Sequence, residues 1–199
     1  MSISASKVKE LRDKTNAGMM DCKEALTATD GDFDKAIEYL RKKGLSAATK
    51  RSSRAAKEGT IASYIHMEGR IGVMVEVNCE TDFVAKTDNF KTMARDIAMH
   101  IAATNPKYVN SEEIPEKELN SEREIYKEQA LAEGKPEKVL DRIVDGKLKK
   151  YYEEVCLLDQ KFVKDTDVTV QDLVNNLIAS SGENIVVRRF ARFQLGEEQ

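Results

Sequence analysis

The sequence predicts an α+β protein in which a small three-helix module precedes a three-stranded antiparallel sheet packed with helices. Over the first 45 residues, apolar positions recur at helical spacing between turn signals. Apolar residues then alternate from Ile71 to Val77, after a first strand at residues 60–66, as in a hairpin. Residues 185–195 form one more predicted strand, whose return would complete the sheet, because a hairpin alone is marginally stable. This order of strands, helices and a returning strand is typical of an α+β core.

The composition excludes several classes of protein. The chain has 199 residues, of which 41% are hydrophobic and 34% charged, which is typical of a globular protein and not of a disordered one. The net charge of -3 argues against a general nucleic-acid binder, and no apolar run approaches the length of a membrane span. Three scattered cysteines suit a reducing cytoplasm better than a disulfide framework, so we expect a cytoplasmic protein.

Residues 1–45 are predicted to form the three-helix module. The first helix carries Leu11, and turn residues at 15–18 end it. The second begins at Met19, and Asp32 starts a third, which we expect Gly44 to close. Few apolar residues are available to this module, so its core should be thin and its independent stability modest.

Residues 46–58 are predicted to be a basic linker, partly helical. An RNA-binding patch is the alternative interpretation of its positive charge. The segment has no aromatic residues interleaved for base stacking, which disfavours that alternative. The basic residues are Lys50, Arg51, Arg54 and Lys57.

Residues 59–199 are predicted to be the α+β core, with a charged helical insertion at about 112–165. Thr87 or Asp88 should cap a helix that ends before Pro106. Thr169 should cap the last helix, and Gly182 should stop it.

The junction after the second strand is the most informative segment of the chain. Asp82 and Phe83 lie side by side there, between a predicted strand and a predicted helix. Two interpretations are open: Phe83 covers the core while Asp82 starts a turn, or both belong to a functional loop on a rigid strand end.

Several kinds of chemistry have no support in the sequence. No glycine-rich phosphate-binding motif occurs, and two histidines without a close cysteine give no basis for a zinc site. Cys79 could act as a nucleophile only with a base, for which His66 and His100 are the histidine candidates. We expect His66, on the partner strand, to be the one that could lie near. A cysteine at a strand end is, however, more often a small buried hydrophobe. We therefore expect no cofactor, no bound metal and no covalent catalysis.

Two segments, considered together, resemble a known family. Residues 8–26 are VKELRDKTNAGMMDCKEAL and residues 76–86 are EVNCETDFVAK. In this order and at this spacing they closely resemble the two signature segments of bacterial elongation factor Ts, the guanine-nucleotide exchange factor of elongation factor Tu. The resemblance continues through residues 99–103, 146–150, 157–163 and 192–196, and so spans nearly the whole chain.

The resemblance implies a role for the loop after the second strand. Phe83 would insert near the Mg²⁺ site of elongation factor Tu, and Asp82 beside it would disturb the ligand shell of the cation. Thr81 and Val84 complete the implied contact segment.

The resemblance also implies that the N-terminal module docks on the nucleotide-binding domain of the partner through Leu11, Arg12, Met19 and Met20. For Leu11 and Met19, a place in the core is the equally favoured alternative, whereas Arg12 and Met20 lie off the apolar stripe. His100 matches a position that touches the third domain of the partner, and a structural histidine is its alternative.

In length the chain resembles the short form of the family, which works as a homodimer. No cysteine lies beyond Cys156, so we expect a non-covalent dimer, with no direct binding to nucleic acid or membrane. Two other classes stay open: a protein-binding module without exchange activity, because the three helices look like a ubiquitin-associated-type fold, and an RNA-associated protein acting through the basic linker. Only an exchange factor would accelerate GDP release from elongation factor Tu at substoichiometric amounts.

Overall fold

The computed structural model describes residues 3–15 and 17–197 and confirms the α+β class. In chain order the strands are β1 (Glu58–His66), β2 (Ile71–Cys79), β3 (Lys161–Phe162), β4 (Asp165–Thr169) and β5 (Ile185–Gln194). The helices are α1 (Ala5–Thr15), α2 (Met19–Ala28), α3 (Phe33–Arg51), α4 (Asp82–Ala85), α5 (Asp88–Thr104), α6 (Glu116–Ala132), α7 (Glu137–Val155) and α8 (Val170–Ser181). The chain divides into two compact units, one comprising residues up to Ala102 together with those from Gln171 onward, the other Ala103–Val170.

The three N-terminal helices share a small apolar core, as the spacing predicts. Leu11, Cys22, Leu26 and Leu40 are among its buried members. The carboxylate of Asp32 accepts a hydrogen bond from the backbone N–H of Lys35 and so caps α3 as predicted. Asn16, in the predicted break after α1, lies outside the described residues.

Helix α3 does not end at Gly44, where the sequence predicts its end, but continues to Arg51. Gly44 is buried beside α8, and a Cβ atom added there would lie 3.4 Å from Oδ1 of Asn176. The absence of a side chain at Gly44 therefore allows close approach of two helices. The irregular part of the predicted linker is confined to residues 52–57. A deletion of residues 1–45 would cut α3 and expose α8, so it is a poor test of what the module does.

The sheet has the order β1-β2-β5, and both of its pairings are antiparallel. Strand β2 is central, and Val73, Val75 and Val77 on one of its faces are buried. Helix α5 follows, with the predicted face of Phe90, Ile97 and Ile101 buried, and Thr87 Oγ1 accepting from Phe90 N at 3.4 Å. The buried faces of β2 and α5 supply much of the apolar interior of this unit.

The unit Ala103–Val170 contains the helical hairpin of α6 and α7 and the short pair β3 and β4. The carboxylate of Glu118 accepts hydrogen bonds from the hydroxyls of Tyr108 and Tyr151, at 2.7 and 2.5 Å. The hydrogen bond to Glu118 is the main cause that raises the pKa of Tyr108 to about 12. The prediction of a helical segment up to residue 165 is wrong from Lys161 onward, where β3 and the start of β4 lie, because strands this short leave little alternation in the sequence.

Candidate functional site

The site is built on the segment after β2, residues 80–86, which we call the strand-end loop. Thr81 is the N-cap of α4, and its Oγ1 accepts a hydrogen bond from the backbone N–H of Val84 at 3.4 Å. Phe83 is 77% exposed, whereas Val84 is buried. The backbone of this single turn therefore directs the aromatic ring outward and the valine inward, and the interpretation of Phe83 as a cover of the core is excluded.

The strand-end loop is held from one side by Glu183, which follows α8. The Glu183 carboxylate accepts hydrogen bonds from Glu80 N at 3.1 Å, from Thr81 N at 3.0 Å and from Thr81 Oγ1 at 2.6 Å. A carboxylate that accepts from two backbone N–H groups and a hydroxyl fixes the position of the segment that donates to it. Sequence reasoning missed Glu183, because no local pattern links it to a loop about a hundred positions earlier.

Asp82 is exposed beside Phe83 and is paired with Lys86. The ammonium of Lys86 donates to Oδ2 of Asp82 at 2.5 Å, one helical turn apart. This hydrogen bond, with the charge of Lys86, lowers the pKa of Asp82 below its ordinary value. A carboxyl group whose pKa is lowered in the folded state loses its proton at a lower pH and stays ionised throughout the neutral range. Asp82 therefore carries its negative charge at neutral pH.

Cys79, the last residue of β2, does not have the environment of a nucleophile. Burial is the main cause that raises the pKa of its thiol to about 11, and the negative charge of Glu183 adds to it. The thiol donates to Thr81 O at 3.1 Å and so supports the strand-end loop. The expected proximity of His66 to Cys79 is wrong, because His66 pairs with Ile71 at the other end of the hairpin.

The N-terminal module presents a second candidate surface at the start of α2. Met20 is 72% exposed, Met19 is 44% exposed and Arg12 on α1 is exposed as well. Adjacent exposed methionines suit an adaptable apolar contact. Leu11 is fully buried in the module core, so its side chain does not lie on the surface that a contact would require.

His100 also lies in the interior, on the buried side of α5, with no exposed surface. The predicted direct contact of its side chain with a partner is therefore not available in this structure. The lone histidine follows its structural alternative, because α5 is amphipathic and position 100 falls on the inner side of the helix.

The outer face of the sheet carries an unusual number of apolar side chains. We call outer sheet face the surface made by Ile61, Ile65, Met74, Ala191 and Phe193, all of which are exposed. The register places Ile65, Gly72 and Phe193 in one row across the strands, and Ser63, Met74 and Ala191 in the next. Contiguous exposed apolar side chains of this kind mark an interaction surface.

The part of the chain that the structure describes has neither a metal centre nor a membrane-spanning helix. Over residues 3–15 and 17–197, no cluster of histidine, cysteine and carboxylate side chains is arranged to hold a metal ion. Over the same residues, no helix is both long and apolar enough to span a bilayer.

An exposed aromatic on an anchored loop, exposed methionines on a helical module and an apolar sheet face define a protein that acts through contacts with other macromolecules. Comparison with known proteins specifies the family. The family model described as elongation factor TS matches residues 4–197. The chain belongs to the elongation factor Ts family, and its role is that of a factor in translation elongation.

Three curated relatives show how far the similarity extends. Elongation factor Ts of Syntrophus aciditrophicus is 72% identical over 198 residues, which cover 100% of this chain and 98% of the relative. The factor of Desulfosudis oleivorans is 60% identical, covering 98% of this chain and 99% of the relative. The factor of Geobacter sulfurreducens is 58% identical, covering 99% of this chain and 91% of the relative.

Proposed function

We propose that this protein promotes the release of GDP from elongation factor Tu by inserting Phe83 next to the site that holds Mg²⁺ and nucleotide. The observation that carries the proposal is the 77% exposure of Phe83 on a turn whose backbone is anchored by Glu183. A large apolar side chain kept in water by a fixed backbone is prepared for burial in a partner.

The energetics of exchange are consistent with a wedge of this size. Nucleotide and exchange factor must weaken the binding of each other by the same factor, because linkage is reciprocal. Burying one phenylalanine side chain contributes roughly 2–3 kcal/mol. Each tenfold change in affinity corresponds to about 1.4 kcal/mol. Burial of one phenylalanine wedge can therefore weaken nucleotide binding by about two orders of magnitude.

The direct test is the release of fluorescent GDP from purified elongation factor Tu, with and without this protein. We expect faster release at substoichiometric amounts, because an exchange factor turns over. Binding without accelerated release would favour a protein-binding module, and binding of RNA but not of the factor would favour the RNA-associated class. We place the activity in the cytoplasm, where translation elongation takes place.

Asp82 is proposed to act on the cation rather than on packing. Its carboxylate is held by Lys86 in the free protein and would have to exchange this partner for the cation or its ligands. Both side chains are largely exposed, so their pair contributes little to folding stability and is easily broken.

Asp82→Ala is expected to slow GDP release by about 5-fold at high Mg²⁺ concentration, since one charge-assisted contact at an exposed site is worth roughly 1 kcal/mol. The deficit should shrink as Mg²⁺ is lowered. Lys86→Ala is the matched control: it breaks the same ion pair but leaves the carboxylate, so it should not slow release. An equal loss in both variants, or a deficit independent of Mg²⁺, would contradict the cation role.

The N-terminal module is proposed to dock on the nucleotide-binding domain through Arg12, Met19 and Met20, all of which are exposed. Leu11 supports this surface from within the module core, and Val84 in the same way supports the turn that carries Phe83. His100 is proposed to keep α5 in place and not to contact the partner directly.

Met20→Asp is expected to raise the concentration of this protein needed for half-maximal release by roughly tenfold, because a charged side chain placed in an apolar contact opposes docking. The maximal rate should change little. Ile125→Asp, another exchange of an exposed helical apolar residue, is the control. A fall in maximal rate without a change in half-saturation would contradict a docking role for Met20.

We also propose that two copies of the chain associate without a disulfide through their outer sheet faces. The exposed apolar side chains of this face favour burial, and a second copy offers a matching surface. Direct contact with nucleic acid is not proposed, since several basic groups of α3 and its exit already face carboxylates: Arg41 faces Asp172, Lys43 faces Asp21 and Glu24, and Arg54 faces Glu80.

A further inference from the structure

We propose that Glu183 is a positioning residue for nucleotide exchange, which holds the strand-end loop in the conformation that presents Phe83. The inference rests on the proposed function of Phe83. Glu183 belongs to the turn of residues 182–184, between α8 and β5, and has no place in the motifs that relate the loop to exchange.

The hydroxyl of Thr81 has two hydrogen-bond partners at once. It donates to Oε1 of Glu183 at 2.6 Å, and it accepts from the backbone N–H of Val84 at 3.4 Å. The hydrogen bond to Glu183 therefore orients the oxygen that caps the turn bearing Asp82 and Phe83. Loss of the carboxylate would free the capping hydroxyl to rotate, at the start of a helical turn that is only four residues long.

The strand-end loop and the turn of residues 182–184 are joined by hydrogen bonds in both directions. While Glu183 accepts from the backbone N–H groups of Glu80 and Thr81, Oε1 of Glu80 accepts from the backbone N–H of Asn184 at 2.6 Å. Two carboxylates thus each satisfy backbone donors of the opposite segment. This reciprocity fixes the loop against the turn at several points and resists both rotation and displacement.

The turn of residues 182–184 is itself fixed by hydrogen bonds to the end of α3 and the segment that follows. Nδ2 of the buried Asn184 donates to Arg54 O at 2.7 Å, and the Arg51 guanidinium donates to Gly182 O at 2.8 Å. Both partners belong to the end of α3 and the segment that follows it. Glu183 is therefore mounted on a turn that is tied to a long helix, which makes it a rigid support.

A rigid support matters for a wedge, because a flexible loop must lose its conformational freedom when it inserts, and this loss opposes insertion. The contacts of Glu183 order the loop before the partner arrives. Their effect should therefore appear in the maximal rate of GDP release, which reports on the bound complex, more than in the concentration needed for half-maximal release.

The test compares Glu183→Ala with Glu183→Gln, which keeps a carbonyl acceptor for the backbone N–H groups, and with Glu38→Ala, which removes an exposed carboxylate elsewhere. Amide hydrogen exchange is measured over residues 80–86, and fluorescent GDP release is measured at several concentrations of each variant. For Glu183→Ala we expect at least about tenfold faster amide exchange in the loop and an about tenfold lower maximal release rate, with half-saturation changed less than about twofold. Glu183→Gln should recover most of both losses, and Glu38→Ala should resemble the unmodified protein.

Non-additivity with Phe83→Ala separates positioning from general stability. If Glu183 acts through Phe83, adding Glu183→Ala to Phe83→Ala should lower the release rate by less than about twofold further. A further tenfold loss would overturn the proposal. Should Glu183→Ala fold poorly, Thr81→Val removes the same hydroxyl contact from the loop side and takes its place.

The outcomes distinguish this inference from the function on which it rests. Unchanged amide exchange over residues 80–86 in Glu183→Ala would overturn the anchoring role, whatever Phe83 does. Unchanged GDP release in Phe83→Ala would overturn the proposed function and, with it, the effect of Glu183 on exchange.

Discussion

Phe83→Ala is expected to lower the maximal rate of GDP release from elongation factor Tu by roughly 30- to 150-fold, the equivalent of the 2–3 kcal/mol that a buried phenylalanine contributes. The folded protein should lose almost no stability, within about 0.5 kcal/mol, because the side chain is already 77% exposed and little of it packs on the fold. Stopped-flow release of fluorescent GDP gives the rate, and denaturant unfolding gives the free energy of unfolding.

Phe83→Leu is the natural companion variant, because it keeps an apolar side chain on the same backbone and should retain part of the activity. If Phe83→Ala lowered the free energy of unfolding by as many kcal/mol as the fall in release rate represents, Phe83 would be a structural residue. If release were unaffected, another group would have to supply the wedge.

If the proposed dimer forms, Met74→Lys is expected to convert it into a monomer, with the mass falling from twice the chain value to 22.4 kDa. Met74 lies on the central strand of the outer sheet face, opposite Ser63 on β1 and Ala191 on β5. A lysine ammonium introduced among the apolar side chains of this face would lose hydration in an interface, which costs several kcal/mol. Light scattering at micromolar concentration measures the mass directly.

The measurement has two controls. Reductant should leave the association of the unmodified protein intact, because the three cysteines are buried and free. Ile125→Lys adds the same charge at an exposed apolar residue of α6, which is not part of the outer sheet face, and should leave the mass unchanged. A mass of one chain for the unmodified protein, together with full exchange activity, would defeat the dimer hypothesis.

Regular elements with strong local patterns were predictable from sequence. Helix α5 has apolar residues at helical spacing, a capping Thr87 and a following Pro106, and it spans Asp88–Thr104 as these signals indicate. The alternation of Val73, Val75 and Val77 likewise gave β2 and its buried face, because the period of a strand is two.

Predictions failed where the role of a residue depends on its packing against a distant part of the chain. Gly44 predicts a helix end by its type, yet α3 continues through it, since the glycine makes room for α8. Composition cannot distinguish a glycine that ends a helix from one that permits close packing, because both uses depend on the missing side chain.

The candidate site divides in the same way. The sequence alone, through its two signature segments, predicted contact surfaces at the strand-end loop and at the start of α2, and it placed Asp82 and Phe83 in the loop. Only the tertiary structure decided which of the named side chains face solvent: Met20 and Phe83 do, whereas Leu11 and His100 are buried. It alone also brought Glu183 to Thr81. Exposure and long-range hydrogen bonds depend on how elements pack, and the spacing of residues along one element carries no record of what packs against it.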